Sequence, residues 1–359
     1  MSAVDGPWTT GFELELLAPL GSDRRTLAAA IAARHPSATV ERCFHMESEP
    51  SAVPDQPVFH NLTLGYEVRV AQGWVARCLD DLTLQADLDR RAAPKPGWFR
   101  IVSDDPRLLS LARLHAGEGT LEDIVAPIAA LFGTSPEPGS GGMLRVVDGI
   151  GSSVLIAAPL PGERERPCEL VTPPLGADLA ARLGELVATA RELGFTVPRE
   201  AALHIHFDAK RLRDARVFAA LIRFFGRHSE ALKDLVGTNP SCRRLGHWPP
   251  ALVATAQAAD FPTLAWDQAA ERLRATELSK YCDFNVMNIV LAPPDKDTFE
   301  VRILPVSLDL QVLLAIAELF EAMLRALVSD TMPDGDLPDV LATLPLSAPT
   351  RAHWLDRAR

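Results

Sequence analysis

Two periodicities alternate along the chain. GFELELLAP at 11–19 alternates polar and apolar residues with period two, which predicts a strand. SDRRTLAAAIAARH at 22–35 opens on a Ser N-cap candidate and continues in strong helix formers. Short strands are predicted in GYEVRVAQ (65–72) and WVARCLDDLTL (74–84). From about 92 to 163, Pro and Gly break every run (AAPKPGW, TSPEPGSGG, APLPGERERP), and strand and helix fragments inserted into the main domain are expected there. Further on, GADLAARLGELVATARELG (176–194) places Leu179, Leu183, Leu186, Val187, Ala190 and Leu193 on one helical face and ends in Gly. LHIHFD (203–208) and TFEVRILPV (298–306) read as strands, and helices are predicted over roughly 211–236, 266–279 and 308–330. The Pro- and Asp-rich stretch 331–359 is expected to be a peripheral tail to a single domain spanning 1–330. No internal repeat is visible.

Four of these strands carry an unusual polar face. Glu13 and Glu15 leave the same face of the first, about 7 Å apart. In HIHFD, His204, His206 and Asp208 share one face while Ile205 and Phe207 take the other; in FEVRI, Glu300 and Arg302 oppose Phe299, Val301 and Ile303. Glu169 heads the short strand of CELVTPP. An antiparallel strand with one solvated face gives the same alternation, and a solitary H-x-H is more often structural than metal-binding. Solvated faces, however, are usually filled with Lys, Thr, Ser and Gln. These four strands offer instead the ligands of hard cations and of phosphate. Carboxylates gathered on one face raise each other's pKa, and a divalent ion such as magnesium relieves the conflict. Arg302 has no place in a site built only to hold metal; its planar fork fits phosphate or carboxylate.

Composition narrows the classes. With 359 residues and 47% hydrophobic content the chain can bury a large core. A formal charge of −11 disfavours sequence-independent nucleic-acid binding. Five scattered cysteines without a C-x-x-C pair fit small buried side chains in a reducing compartment. The opening MSAVDGPWTTGFELE carries no export leader, and no stretch is long and apolar enough for a membrane span, so a cytoplasmic protein is expected.

Taken in order, GFELE (11–15), ELVTPPL (169–175), LHIHFD (203–208), KYCDFNVMNI (280–289) and TFEVRILP (298–305) resemble the motifs of the amidoligase family. This is a branch of the carboxylate-amine ligase superfamily that includes glutamine synthetase and glutamate-cysteine ligase. The resemblance implies an α+β fold with a curved, largely antiparallel sheet of glutamine-synthetase-like type and helices on its convex face. It implies two or three magnesium ions and ATP on the concave face. Glu13 and Glu15 would each face a different metal, with Glu169 sharing that of Glu15, and His204 and Glu300 sharing that of Glu13. His206 would lie near the nucleotide, and Arg302 would contact the transferred phosphoryl group. Lys280, Tyr281 and Asn285 would be supporting or substrate contacts. An acidic segment that usually precedes E-L-V-S-P is matched by Asp80 or Asp81, though much further from Glu169 than in the compact pattern. The implied reaction joins small-molecule or peptide carboxylate and amine substrates through an acyl phosphate, with Asp208 or an acid of the 92–163 insertion as proton acceptor. The implied protein binds neither nucleic acid nor membrane.

Two other readings fit the same residues: a metal-dependent hydrolase built on H-x-H-x-D, and a binding domain for metal or nucleotide without catalysis. Glu67 and Arg69 read as an ordinary solvated strand face, His247 beside Trp248 as a loop pair, and GERER (162–166) as a charged turn.

Overall fold

The computed structural model describes residues 8–53, 56–115, 119–242, 244–294 and 296–358. The first residues of the segment read for an export leader lie outside this set. Helices and strands are mixed, and the strands form a large antiparallel sheet that is not closed. No helix among the described residues is long and apolar enough to cross a membrane.

The residues cluster into two compact units, and strand β1 (Thr10–Leu17) passes from one into the other. The first unit comprises Glu15–Pro173 and Thr189–Arg199. Its helix α1 (Arg24–Ala32) starts at Asp23, whose side chain accepts from the Thr26 N–H, one residue after the predicted Ser cap. A long hairpin follows, β2 (Thr39–Val53) against β3 (Gln56–Val70). The other edge of β3 is shared end to end by β4 (Gly73–Leu79) and β5 (Phe99–Ser103). After α2 (Pro106–Leu114) and α3 (Leu121–Leu131), β6 (Glu137–Pro138), β7 (Leu144–Val147) and β8 (Ser153–Pro159) extend the sheet from β5, and β9 (Pro167–Val171) pairs with β4. The 92–163 insertion therefore supplies strands of the sheet itself.

Arg24 pins this unit from within. It is 0% exposed, stacks 4.5 Å from the Trp98 ring, and donates to the carbonyls of Leu64, Arg164 and Pro167. Asp80 lies 3.5 Å from it and is also bound by Arg164. Asp81 accepts from both the N–H and the hydroxyl of Thr83. Both candidate acids for a metal are thus engaged by protein partners, and Asp80 has two guanidiniums to neutralise it.

The second unit comprises Met1–Leu14, Pro174–Ala188 and Glu200–Arg359. Helix α4 (Leu179–Glu192) runs out of it, and β10 (Leu203–Asp208) pairs with β1. Helix α5 (Ala215–Val236) starts on the Asp214 cap and stops at Gly237, whose φ of 74° is the left-handed C-cap conformation that glycine adopts freely. The unit continues with α6 (Pro250–Ala256), α7 (Trp266–Arg274), β11 (Phe284–Asn285), α8 (Met287–Leu291), β12 (Thr298–Leu304) and α9 (Leu310–Val328). Its strand order is β11-β12-β10-β1. The apolar face is the predicted one: Phe12, Leu14, Ile205, Phe207, Phe299, Val301 and Ile303 are all fully buried. Phe225 of α5 packs 4.7, 5.3 and 6.2 Å from the rings of Phe284, Phe299 and Phe320, joining α5, the strands and α9.

The tail expected to be peripheral forms two helices, α10 (Leu337–Thr343) and α11 (Ala348–Arg357). Trp354 is 2% exposed and donates to the Ala315 carbonyl of α9, and Arg357 donates to the Leu235 carbonyl of α5. An apolar anchor every few residues docks the tail despite its polar average.

Candidate active site

With Phe12, Ile205, Phe207 and Phe299 turned into the core, the period of two sends Glu13, His204, His206, Glu300 and Arg302 to the opposite face. Register then sets the pairs. Glu13 lies opposite His204, and His206 and Asn285 lie on either side of Glu300. An irregularity between Leu203 and Ile205 adjusts β10 against β12.

The contacts are close. His206 Nε2 lies 3.2 Å from Glu13 Oε1 and 3.9 Å from Glu300 Oε1. His204 Nδ1 lies 3.2 Å from Glu13 Oε2 and 3.6 Å from Glu300 Oε1. Ligand atoms of Glu13, His206 and Glu300 fall within 4.8 Å of one another, so the histidine expected beside a nucleotide belongs to a compact ligand-like group. His204 touches the same two carboxylates.

Glu300 is held on both oxygens. Arg302 Nη1 donates to Oε1 at 2.7 Å and Asn285 Nδ2 to Oε2 at 2.8 Å, while Asn285 Oδ1 accepts from the Met287 N–H. Burial alone would raise the Glu300 carboxyl, but His206, Arg302, Lys296 and His204 hold it far below the ordinary range. Glu13 behaves alike: burial opposes its charge, and Lys296, His206 and His204 prevail, so its pKa lies well below the usual value. For His204, burial lowers the pKa and Arg302 adds to the effect, against the pull of Glu13 and Glu300, so the ring is neutral at pH 7. Neutral imidazole is the form that ligates a cation.

His206 is 6% exposed, and its Nδ1 lies 2.9 Å from Thr298 Oγ1. Its buried Nε2 makes no hydrogen bond of good geometry among the described residues, though a Glu13 oxygen lies 3.2 Å away and a Glu300 oxygen 3.9 Å. A buried polar atom so placed calls for a cation or a proton between it and the oxygens. Two carboxylates and an imidazole nitrogen form a donor set that magnesium or manganese accepts.

Two of the remaining expected residues are engaged outside this group. Asp208 ends β10, and its Oδ1 accepts from the Lys210 N–H at 2.7 Å, capping a turn. Lys280 Nζ sits 5.3 Å from the Tyr281 ring. Glu15 and Glu169 belong to the first unit, where both are buried. Two contributors escaped the sequence reading. Lys296 Nζ lies 3.1 Å from Glu13 Oε1; a basic residue in the loop just ahead of the F-E-V-R strand was the available signal. Asp283, inside KYCDFNVMNI, uses its backbone oxygen to bind the Arg302 N–H, and its carboxylate holds Ser229, Gly246 and Lys233. It fixes β12 where Arg302 leaves it.

An open antiparallel sheet that gathers carboxylates, imidazoles, an arginine and a lysine on one face is equipped for chemistry on charged substrates. A family model described as "putative amidoligase enzyme" matches residues 6–324, and the chain belongs to that family. Membership points to amide-forming ligase activity. No curated protein and no solved structure matches the chain.

Proposed function

We propose that the protein is an ATP- and magnesium-dependent carboxylate-amine ligase, with a catalytic sheet of glutamine-synthetase-like type. The buried His206 Nε2 facing Glu13 and Glu300, with Arg302 and Lys296 on the same carboxylates, carries this reading. In the overall reaction a carboxylate oxygen takes the γ-phosphoryl group of ATP, releasing ADP and giving an acyl phosphate. An amine then attacks the carbonyl carbon, and phosphate and a proton leave as the amide forms. A carboxylate needs this activation because it is a poor electrophile.

Glu13, His206 and Glu300 would hold magnesium, with His204 beside them. When bound, the ion neutralises charge on the transferring phosphoryl oxygens. The chain's own residues orient the site. Asn285 fixes the rotation of the Glu300 carboxylate, and Thr298 fixes the His206 ring so that Nε2 faces the carboxylates. Arg302 holds Glu300 through Nη1, and its planar guanidinium has the shape and charge that suit a phosphoryl group. Lys296 brings a second positive charge on a flexible stem, which suits a phosphate that arrives and departs. Arg302 and Lys296 suit phosphoryl transfer, whose transition state spreads negative charge over the phosphoryl oxygens.

The test is ADP release from Mg-ATP against a panel of amino acids and short peptides, with mass spectrometry of the product. Glu13→Ala, Glu300→Ala and Arg302→Ala are each expected to abolish release while the protein stays folded. Full activity in any of them, or failure of wild type to bind magnesium with a non-hydrolysable ATP analogue, would overturn the assignment.

A further inference from the structure

Lys296 competes for an atom that the ligand-like group needs. Its Nζ lies 3.1 Å from Glu13 Oε1, and the same oxygen lies 3.2 Å from His206 Nε2. The two neighbours differ in mobility. The His206 side chain is 7% exposed and its ring is set by Thr298, whereas the Lys296 side chain is 49% exposed and reaches Glu13 along a flexible four-carbon stem. All of these residues belong to the second unit.

The backbone around Lys296 is held. Its N–H donates to the Pro293 carbonyl at 3.2 Å, and its carbonyl accepts from the Thr298 N–H at 3.1 Å. The carbonyl of the next residue, Asp297, accepts from the Ala209 N–H at 3.1 Å, and its carboxylate pairs with Arg213. Peptide groups engaged in this way anchor the segment beside the end of β10 and the start of β12. If Glu13 is to take another partner, it is the Lys296 side chain that moves.

Arg302 is built the other way. Its side chain is 12% exposed, and it bonds Glu300 from two residues along a strand whose pairing with β10 fixes both. Of the two cations, Arg302 is the lasting partner of its carboxylate and Lys296 the removable one. Nor does Glu13 Oε1 have room for Lys296 and a divalent ion together. An ion bonded to that oxygen would stand within about 5 Å of the ammonium, a like-charge contact beside groups largely shielded from water.

Resting on the ligase reading above, we propose that Lys296 is a displaceable counter-ion of Glu13, which neutralises the carboxylate until magnesium binds, is expelled by the ion, and then takes a phosphate oxygen of the nucleotide. The exchange makes the nucleotide follow the metal. ATP alone meets an engaged lysine and two carboxylates that repel its phosphates; once the ion is bound, those carboxylates are neutralised and an ammonium is released.

Two measurements test this. By calorimetry, magnesium chloride alone is expected to bind Lys296→Met about 5- to 30-fold more tightly than wild type, the span from an exposed ion pair to a charge-assisted hydrogen bond. With saturating magnesium, a non-hydrolysable ATP analogue should bind the variant about 10- to 100-fold more weakly. A residue that only supports the fold would move both affinities in one direction. On wild type, acetic anhydride labelling read by mass spectrometry should find Lys296 more reactive when magnesium replaces a chelator, and protected again when the analogue follows. Lys95, paired with Asp23 in the first unit, serves as the unchanging reference. Unchanged or weaker magnesium binding by Lys296→Met, or Lys296 labelling indifferent to magnesium, would overturn the proposal. Release of Lys296 by magnesium with neither analogue binding nor ADP release would instead remove the ligase reading and leave the exchange of Lys296 for the ion standing.

Discussion

Consider Arg302→Met, which keeps an unbranched apolar stem and deletes the charge. Glu300 is 3% exposed and has four partners within 4 Å: Arg302 at 2.7 Å, Asn285 at 2.8 Å, His204 at 3.6 Å and His206 at 3.9 Å. Deleting one partner of a buried ion pair can cost about 3–5 kcal/mol, and one hydrogen bond to a charged group about 1.5–3 kcal/mol. Because Asn285 and both imidazoles remain, the lower figure applies, and about 2 kcal/mol is expected. That corresponds to roughly 30-fold faster hydrogen exchange of the β12 peptide, Thr298–Leu304, in the presence of a chelator. Magnesium should reverse the effect. A cation takes over the neutralisation of Glu300, and at a hundred times its Kd it restores about 2.7 kcal/mol. The variant should therefore gain more from magnesium than wild type does, while losing ADP release. The reasoning fails if β12 exchanges at the wild-type rate without metal, or if magnesium protects the two proteins equally.

Three further outcomes follow from the same geometry. Both Glu13 and Glu300 have folded pKa values held below the unfolded value near 4.5, so their contribution is present above that pH and is lost as pH falls through the folded values. Unfolding midpoints should fall below about pH 4.5, and this acid limb should flatten in Glu13→Gln/Glu300→Gln; an unchanged limb would assign it to other groups. Thr298→Val removes the oxygen beside His206 Nδ1 and should weaken magnesium binding about 10- to 100-fold by titration, with no change in fold by circular dichroism. Trp354→Ala should cost about 3–5 kcal/mol by thermal unfolding, since the ring is buried against α9; a loss under 1 kcal/mol would mean the tail is dispensable.

The second unit was legible because period and chemistry agree there. Helices α5, α7 and α9 fall inside the predicted spans, and the ligand-like face of β10 and β12 is opposite a wholly apolar one. In the first unit, β2 was missed and only the end of β3 was seen. TVERCFHMESEPSAV mixes charges with apolar residues and contains Pro50, and what makes it a strand is its long pairing with β3. Glu67 and Arg69 show the limit of alternation as a signal. Period two identifies a face but does not say whether water or another set of charges covers it, and here Arg77 on the neighbouring strand decides. Lys296 sits in a loop, where no periodicity marks a side chain that reaches back to Glu13.

The passage of β1 from one unit into the other also bears on the order of events during synthesis. Glu13 and Lys296 are 283 residues apart. At about 5–20 residues per second, Glu13 leaves the ribosome about 15 to 60 s before that partner exists. Most of the first unit is made within this interval, and β10, with His204 191 residues after Glu13, is made only in its last third. The charged cluster must close last, around a strand whose other half has already found its place, so slow synthesis or early truncation exposes an apolar β1 edge before any activity can form.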